Sequence, residues 1–197
     1  KNLMIRRITT LFIAVLCCSA AFAQKVEVRR LEGEIGIGGV NGVNSLSLDN
    51  CSVGPKLYAE LRYNFRALPI DAGIQASGSF FHRDDDSQAQ RLKSKSYNVM
   101  AVADYNFRRG KNLSFFAGVG LGLGVLEMSA PIDIKAPNAQ WDGYTTGDGK
   151  EKLCFSPRIG VELFNHLRLT LFYMGEERAN NHFGLSIGGV LGGGRKR

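Results

Sequence analysis

The sequence predicts an all-β fold: an eight-stranded antiparallel up-and-down transmembrane β-barrel, preceded by a cleavable signal peptide. Three observations carry that reading. Apolar and polar residues alternate with a period of two in one segment after another, each about ten residues long, as in strands with two unlike faces. Tight turns and longer polar loops join these segments in alternation. Beyond residue 23 no apolar run is long enough to cross a bilayer as a helix.

The leader comes first. Lys1, Arg6 and Arg7 precede an apolar run from Leu11 to about Cys18, and Ala21-Phe22-Ala23 offers a small-residue cleavage site. That order describes a secretory signal peptide over residues 1–23, with the barrel domain over 24–197. Neither Cys17 nor Cys18 follows the small residue that a lipid-modified cysteine would require. The formal net charge of +7 includes the three leader cations, and the remaining excess is scattered along the chain. It gives no basis for nucleic acid as a partner.

The strands follow in order. Residues 31–40 set Leu31, Ile35 and Ile37 against Glu32, Glu34, Gly36 and Gly38, and a polar loop covers 41–54. Residues 57–65 and 70–80 form a hairpin. One face carries Leu57, Ala59, Leu61, Tyr63, Ile70, Ala72 and Ile74; the other carries Tyr58, Glu60, Arg62, Asn64, Asp71 and Gln75. Residues 82–95 are charged, without an apolar period, and read as a loop. Over 96–107, Tyr97, Val99, Ala101, Ala103, Tyr105 and Phe107 oppose Asn98, Met100, Val102, Asp104 and Asn106. Over 113–127 a stripe of Leu, Val, Phe and Ala opposes Ser114, Phe116, Gly118, Gly120, Gly122 and Gly124. A long loop covers 128–153. Residues 154–164, 167–175 and 182–191 complete the set, with Arg158, Glu162 and Arg168 in their polar stripes and a polar connection at 176–181.

Alternation alone does not say whether the apolar stripe faces a core or lipid. Three features favour lipid. A stripe of four glycines suits a crowded barrel interior better than a water-facing surface. The polar stripes mix acids with arginines, and lysine is almost absent, so charges can pair across an interior. Aromatic residues gather at the strand ends: Tyr63, Phe65, Tyr105, Phe107, Phe115 and Phe164 at the short-turn end, and Phe80, Tyr97, Phe155, Tyr173 and Phe183 at the loop end. That is a double girdle at two membrane boundaries.

The segment Tyr63-Asn64-Phe65 recurs as Tyr105-Asn106-Phe107, each time entering a short turn, and residues 118–124 alternate glycine with an aliphatic residue. On these features the mature chain resembles the small eight-stranded outer-membrane barrels of Gram-negative bacteria. These are the OmpA/OmpX-like group and the Bacteroidetes proteins with an outer membrane protein β-barrel domain. The resemblance implies a cell outer membrane location with both barrel termini periplasmic. It implies outer-membrane lipid and lipopolysaccharide as surroundings, loops free to meet an extracellular ligand or protein, a monomeric state and no cofactor. The aromatic residue that usually ends such a barrel has no counterpart in Gly192–Arg197.

The candidate site residues follow from the inward stripes. Glu34, Glu60, Arg62, Asp71, Asp104, Arg158, Glu162 and Arg168 are expected to form an interior polar network, which plugs the lumen together with Phe116 and Phe164. Cys51 and Cys154 are the two cysteines after the leader, and an exported chain can bridge such a pair. Trp141 and Tyr144, in the longest loop, are candidates for a surface contact. No metal site is expected, because Asp84-Asp85-Asp86 lacks EF-hand spacing. Residues 143–150 lack the spacing of a phosphate-binding loop. No catalytic residue is assigned. The leading expectation is therefore a non-enzymatic barrel with a structural or surface-interaction role. Two alternatives stand beside it: a soluble lipocalin-like barrel holding a small apolar ligand, and a rim-sited lipid hydrolase using His82 or His182.

Overall fold

The computed structural model describes residues 28–43, 51–66, 68–85, 90–131, 144–146, 151–176 and 181–192. Residues 1–23, read above as a signal peptide and containing Cys17 and Cys18, and Trp141 lie outside them. Eight long strands are present: β1 (Leu31–Gly42), β2 (Gly54–Asn64), β3 (Ile70–Asp85), β4 (Gln90–Phe107), β5 (Leu113–Pro131), β6 (Glu151–Leu163), β7 (Leu167–Met174) and β8 (His182–Leu191). Each pairs antiparallel with the next, and β8 pairs back onto β1, so the ring closes. Closure leaves no strand edge, which a backbone surrounded by hydrocarbon requires.

The register sets the shape of the ring. Cross-strand partners run from Leu31 through Tyr63, Ala72, Ala103 and Val119 to Pro157; the register of Arg158–Phe172 and Phe155–Gly175 sets Pro157 level with Tyr173, which pairs with Phe183, and the path returns to β1 at Asn41, ten residues beyond the start. A shear of ten on eight strands tilts them about 40° from the axis at ordinary strand spacings. Every residue on that path points outward. The outer face carries Ile35, Ile37, Leu57, Leu61, Ile74, Val99, Leu121, Ile159 and Leu185, all exposed. Aromatic pairs bound this stripe. Tyr63 packs edge-on to Phe65 and Tyr105 to Phe107 at one end; Phe80 packs against Tyr97 and Phe155 against Tyr173 at the other. From Tyr97 to Tyr105 along the tilted β4 is about 20 Å of axial height, close to the about 25 Å of an apolar barrel band.

The Tyr-Asn-Phe repeat has a physical reason. Its two rings face outward at the boundary while the asparagine between them faces inward and ties the short-turn end together. Asn64 Nδ2 donates to the Arg29 carbonyl at 2.8 Å, and Asn106 Nδ2 donates to Asp71 Oδ2 at 2.6 Å. Arg109 reaches from the second turn to the first, donating to Asn64 Oδ1 and to the Phe65 carbonyl.

Two expected loops are shorter than the sequence suggests. β3 and β4 stay paired through Asp85 and Gln90, so most of residues 82–95 is strand. β5 runs to Pro131, where the short strand Tyr144–Thr146 pairs with it, and Cys51–Ser52 pairs with β3. Beyond the lipid both faces of a hairpin are wetted. The side-chain period then disappears while the backbone ladder continues. The wall is thus tall at β3–β5 and low at β7 and β8.

The glycine stripe of β5 makes room for its neighbour. Gly118, Gly120, Gly122 and Gly124 stand opposite Asp104, Val102, Met100 and Asn98 of β4. A Cβ at Gly118 would fall on the Asp104 carboxylate. Gly118→Ala is therefore expected to lower the barrel's thermal unfolding midpoint, at a cost of about 1–3 kcal/mol from overpacking. The β6–β7 ladder runs from Leu163–Leu167 to Arg158–Phe172 and resumes only at Phe155–Gly175. Pro157 lies in the interval and has no N–H to offer Tyr173. Pro157→Ala restores a donor in an apolar environment, and the unfolding midpoint, read by loss of folded gel mobility on heating, should rise by the equivalent of about 1 kcal/mol.

Candidate functional site

Among the described residues, the lumen is where the fold gathers charged side chains. Because side chains alternate across a strand, each polar stripe turns inward together. Glu34 comes from β1, Glu60 and Arg62 from β2, Asp104 from β4, Arg158 from β6 and Arg168 from β7, and all are buried. Arg158 is the hub. Its Nη1 and Nη2 donate to the two Glu60 oxygens at 2.5 and 2.9 Å. Its Nε and Nη2 donate to the two Asp104 oxygens at 2.7 and 2.8 Å. Arg62 Nη1 donates to Glu34 at 2.6 Å and to Glu60 at 2.9 Å. Arg168 donates to Asp104, and its guanidinium carbon lies 3.5 Å from the centre of the Phe116 ring.

Neutral donors complete the carboxylates. Tyr58 OH donates to Glu34 Oε1 at 2.5 Å, and Gln75 Nε2 donates to Glu60 Oε2 at 2.6 Å. Tight pairing is what a narrow, water-poor interior demands, since an unpaired buried charge is costly. This interior holds cavities of about 10 Å³, one lined by Lys56, Arg158 and Arg168 and one by Asp71, Arg109 and Glu162. That is the lower bound for holding one water.

Six of the eight expected residues thus join in one network. Asp71 and Glu162 are buried as well but sit nearer the short turns, where they line the lower cavity with Glu32, Asn106 and Arg109. Asp71 is held by Asn106. Several interior residues escaped the sequence reading. Glu32 lies 3.5 Å from Arg62. Lys56 is buried on the inward face of β2. Lys56 shares the parity of Tyr58 and Glu60 but lies one residue before the strand start expected at Leu57, and the strand in fact begins at Gly54. Met100, Val102, Cys154 and Met174 form one apolar cluster toward the loop end, and Val40, Phe81 and Phe172 form another.

Other expectations need correction. Cys154 is a free thiol buried in the first of these clusters, so a Cys51–Cys154 bridge is not formed. The reason is topological. Cys51 pairs with Arg83 beside β3, whereas Cys154 pairs with Gly122 on the β5–β6 side of the ring. Phe164 does not enter the lumen; it occupies the β6–β7 turn at φ 55° and is 66% exposed. His182 is at the loop end but fully buried, its ring 5.3 Å from that of Phe81 and 6.3 Å from that of Phe172. Tyr144 pairs through its backbone with Pro131, and Trp141 lies outside the described residues. Among the described residues no group of His, Cys, Asp and Glu side chains is arranged to hold a metal ion.

Comparison with known proteins agrees with this architecture. A sequence model of the family described as outer membrane protein beta-barrel domain matches residues 10–189. No curated protein sequence matches the chain. Among solved structures, Neisserial surface protein A is similar at a TM-score of 0.54 and 11% identity, over 84% of this chain and 98% of that one. The outer membrane protein OprG from Pseudomonas aeruginosa is similar at 0.50 and 9% identity, over 85% of this chain and 98% of that one. At such identities the likeness is one of fold. The family match covers most of the chain and the ring is closed, so the protein belongs to the outer membrane protein β-barrel domain family and is a barrel of the Gram-negative outer membrane.

Proposed function

We propose that this is a non-enzymatic barrel, closed to bulk diffusion, that holds recognition loops at the cell surface. The observation that carries the reading is the Arg158 hub, which joins β6 to β2 and β4 across the lumen beside a cavity of about 10 Å³. Residues 1–23 act as the export signal and residues 24–197 form the barrel domain. The short turns and both termini face the periplasm. The apolar belt meets outer-membrane lipid and lipopolysaccharide, and the barrel works as a monomer.

Recognition of an extracellular ligand or protein falls to the loop end. The tall β3–β5 wall carries Tyr144 through its pairing with Pro131, Trp141 precedes it in sequence, and loops on a rigid scaffold are where binding is built. The exposed apolar belt and charged lumen count against a soluble lipocalin-like carrier, whose interior would have to be the apolar side. His182, enclosed by Phe81 and Phe172, is withdrawn from the rim, which weakens the hydrolase reading.

In planar bilayers the purified barrel is expected to show no stable nanosiemens-scale steps. Such steps from the unmodified protein would rule out a closed lumen. Arg158→Ala leaves Glu60 and Asp104 without their shared partner. It should cost about 3–5 kcal/mol of stability, seen as a lower unfolding midpoint in detergent, and should add a small ion leak absent from the parent.

A further inference from the structure

The short-turn end of the barrel shows one sign of charge to its surroundings. Arg29 and Arg30 lead into β1, Arg66 sits in the β2–β3 turn, and Arg108 and Lys111 sit in the β4–β5 turn, all of them exposed. Among the described residues no exposed carboxylate lies at this end: its acids, Glu32, Asp71 and Glu162, are buried in the lumen. Counting those three in full, with Arg109 added to the five cations, sets six positive charges against three negative ones, an excess of +3. In the flanking sequence Glu27 takes one from that excess, while Lys25, Arg195, Lys196 and Arg197 add four. The loop-end segments mix their signs instead, as in Arg83-Asp84-Asp85-Asp86 followed by Arg91, Lys93 and Lys95.

The five cations form one arc. Strands β1 to β5 are consecutive round the ring, so the three segments that carry them are neighbours. Asn64 donates to the Arg29 carbonyl through Nδ2 at 2.8 Å and to the Arg30 carbonyl through its backbone N–H at 2.7 Å. Arg109 crosses from the β4–β5 turn and donates to Asn64 Oδ1 and to the Phe65 and Leu68 carbonyls. The arc also has a set height. Arg66 follows Phe65 and Arg108 follows Phe107, outward rings at the boundary of the apolar belt, and Leu68 and Leu113 are exposed near them. A guanidinium one residue beyond such a ring stands at the level of lipid headgroups.

From this arrangement we propose that the arc binds the headgroups of anionic glycerophospholipids, such as phosphatidylglycerol, in the periplasmic leaflet. The apolar belt takes any acyl chain; the arc selects among headgroups. A guanidinium fork meets two phosphate oxygens side-on, and clustered cations beside a bilayer draw anionic lipid toward them. A soluble acidic partner would not require the cations to border the apolar belt, so the aromatic boundary favours lipid. The choice of leaflet rests on the proposed orientation, with the short turns in the periplasm. The headgroup preference does not, and the two are measured separately.

The test places the folded barrel in phosphatidylcholine bilayers with a trace of spin-labelled phosphatidylglycerol or phosphatidylcholine, and electron spin resonance reads the label immobilised at the protein surface. Phosphatidylglycerol should be favoured roughly two- to fivefold, and less so as salt is raised. Arg66→Gln, Arg108→Gln and Lys111→Gln together should remove most of that preference. Lys93→Gln with Lys95→Gln, at the loop end, should keep it. If the triple variant does not fold, Arg29→Gln with Arg30→Gln takes its place and should lower the preference. No preference in the unmodified barrel, a preference indifferent to salt, or one that survives the short-turn variants would each overturn the lipid site. No lipid preference together with capture of a soluble acidic cell-wall peptide would assign the arc to that partner instead. Thiol labelling of Arg66→Cys in a Cys51→Ser background reads orientation: reaction in intact cells would overturn the leaflet assignment and leave the headgroup preference standing.

Discussion

The interior depends on the reach of Arg158. From β6 its guanidinium holds Glu60 on β2 and Asp104 on β4, each through two N–H donors. A lysine could not do this, because its single ammonium lacks the planar fork that meets two carboxylates side-on. Arg62 ties β2 to β1 in the same way, and Arg168 ties β7 to β4. The ladder closes the barrel around its circumference, and the arginines brace it across its diameter. Both are consequences of one constraint: hydrocarbon outside forces every backbone bond into the wall. A wall of eight strands with this shear leaves an interior only side-chain wide.

That narrowness also explains the distribution of bulk. Where β4 sends Asp104, Val102, Met100 and Asn98 inward, β5 opposes each with glycine. Gly160 serves Phe116 similarly, since a Cβ there would strike the ring. The lumen is filled by a division of volume between neighbouring strands. A glycine stripe on one strand is therefore evidence about the strand beside it.

Much of this was legible in the sequence, for a reason particular to strands. A period of two is insensitive to strand ends, so inward and outward residues could be sorted without knowing where any strand stops. All eight strands and the inward set from Glu34 to Arg168 follow from parity alone. Parity carries no information on height or on position round the ring. Asp71 and Glu162 lie in the inward stripes like Glu60, yet the register places them lower. Cys51 and Cys154 are both near the loop end, yet the ring separates them. Residues 82–95 lose their apolar period where lipid ends, not where pairing ends. Phe164 fell to the short β6–β7 turn, whose left-handed residues Phe164 and Asn165 break the alternation.

Register then gives the lumen a direction. Glu32, Asp71 and Glu162 lie toward the short turns, the arginine network lies at mid-height, Lys56 stands above it, and the apolar clusters of Met174 and Phe172 come last. The order matters for the strength of the network. Ion pairs weaken steeply with the local dielectric constant. An apolar layer between the pairs and the outer loops keeps that constant low, as the lipid does from the sides. The same layer raises the cost of leaving any cation unmatched. Lys56 stands at the boundary between the two zones, with aromatic rings as its neighbours.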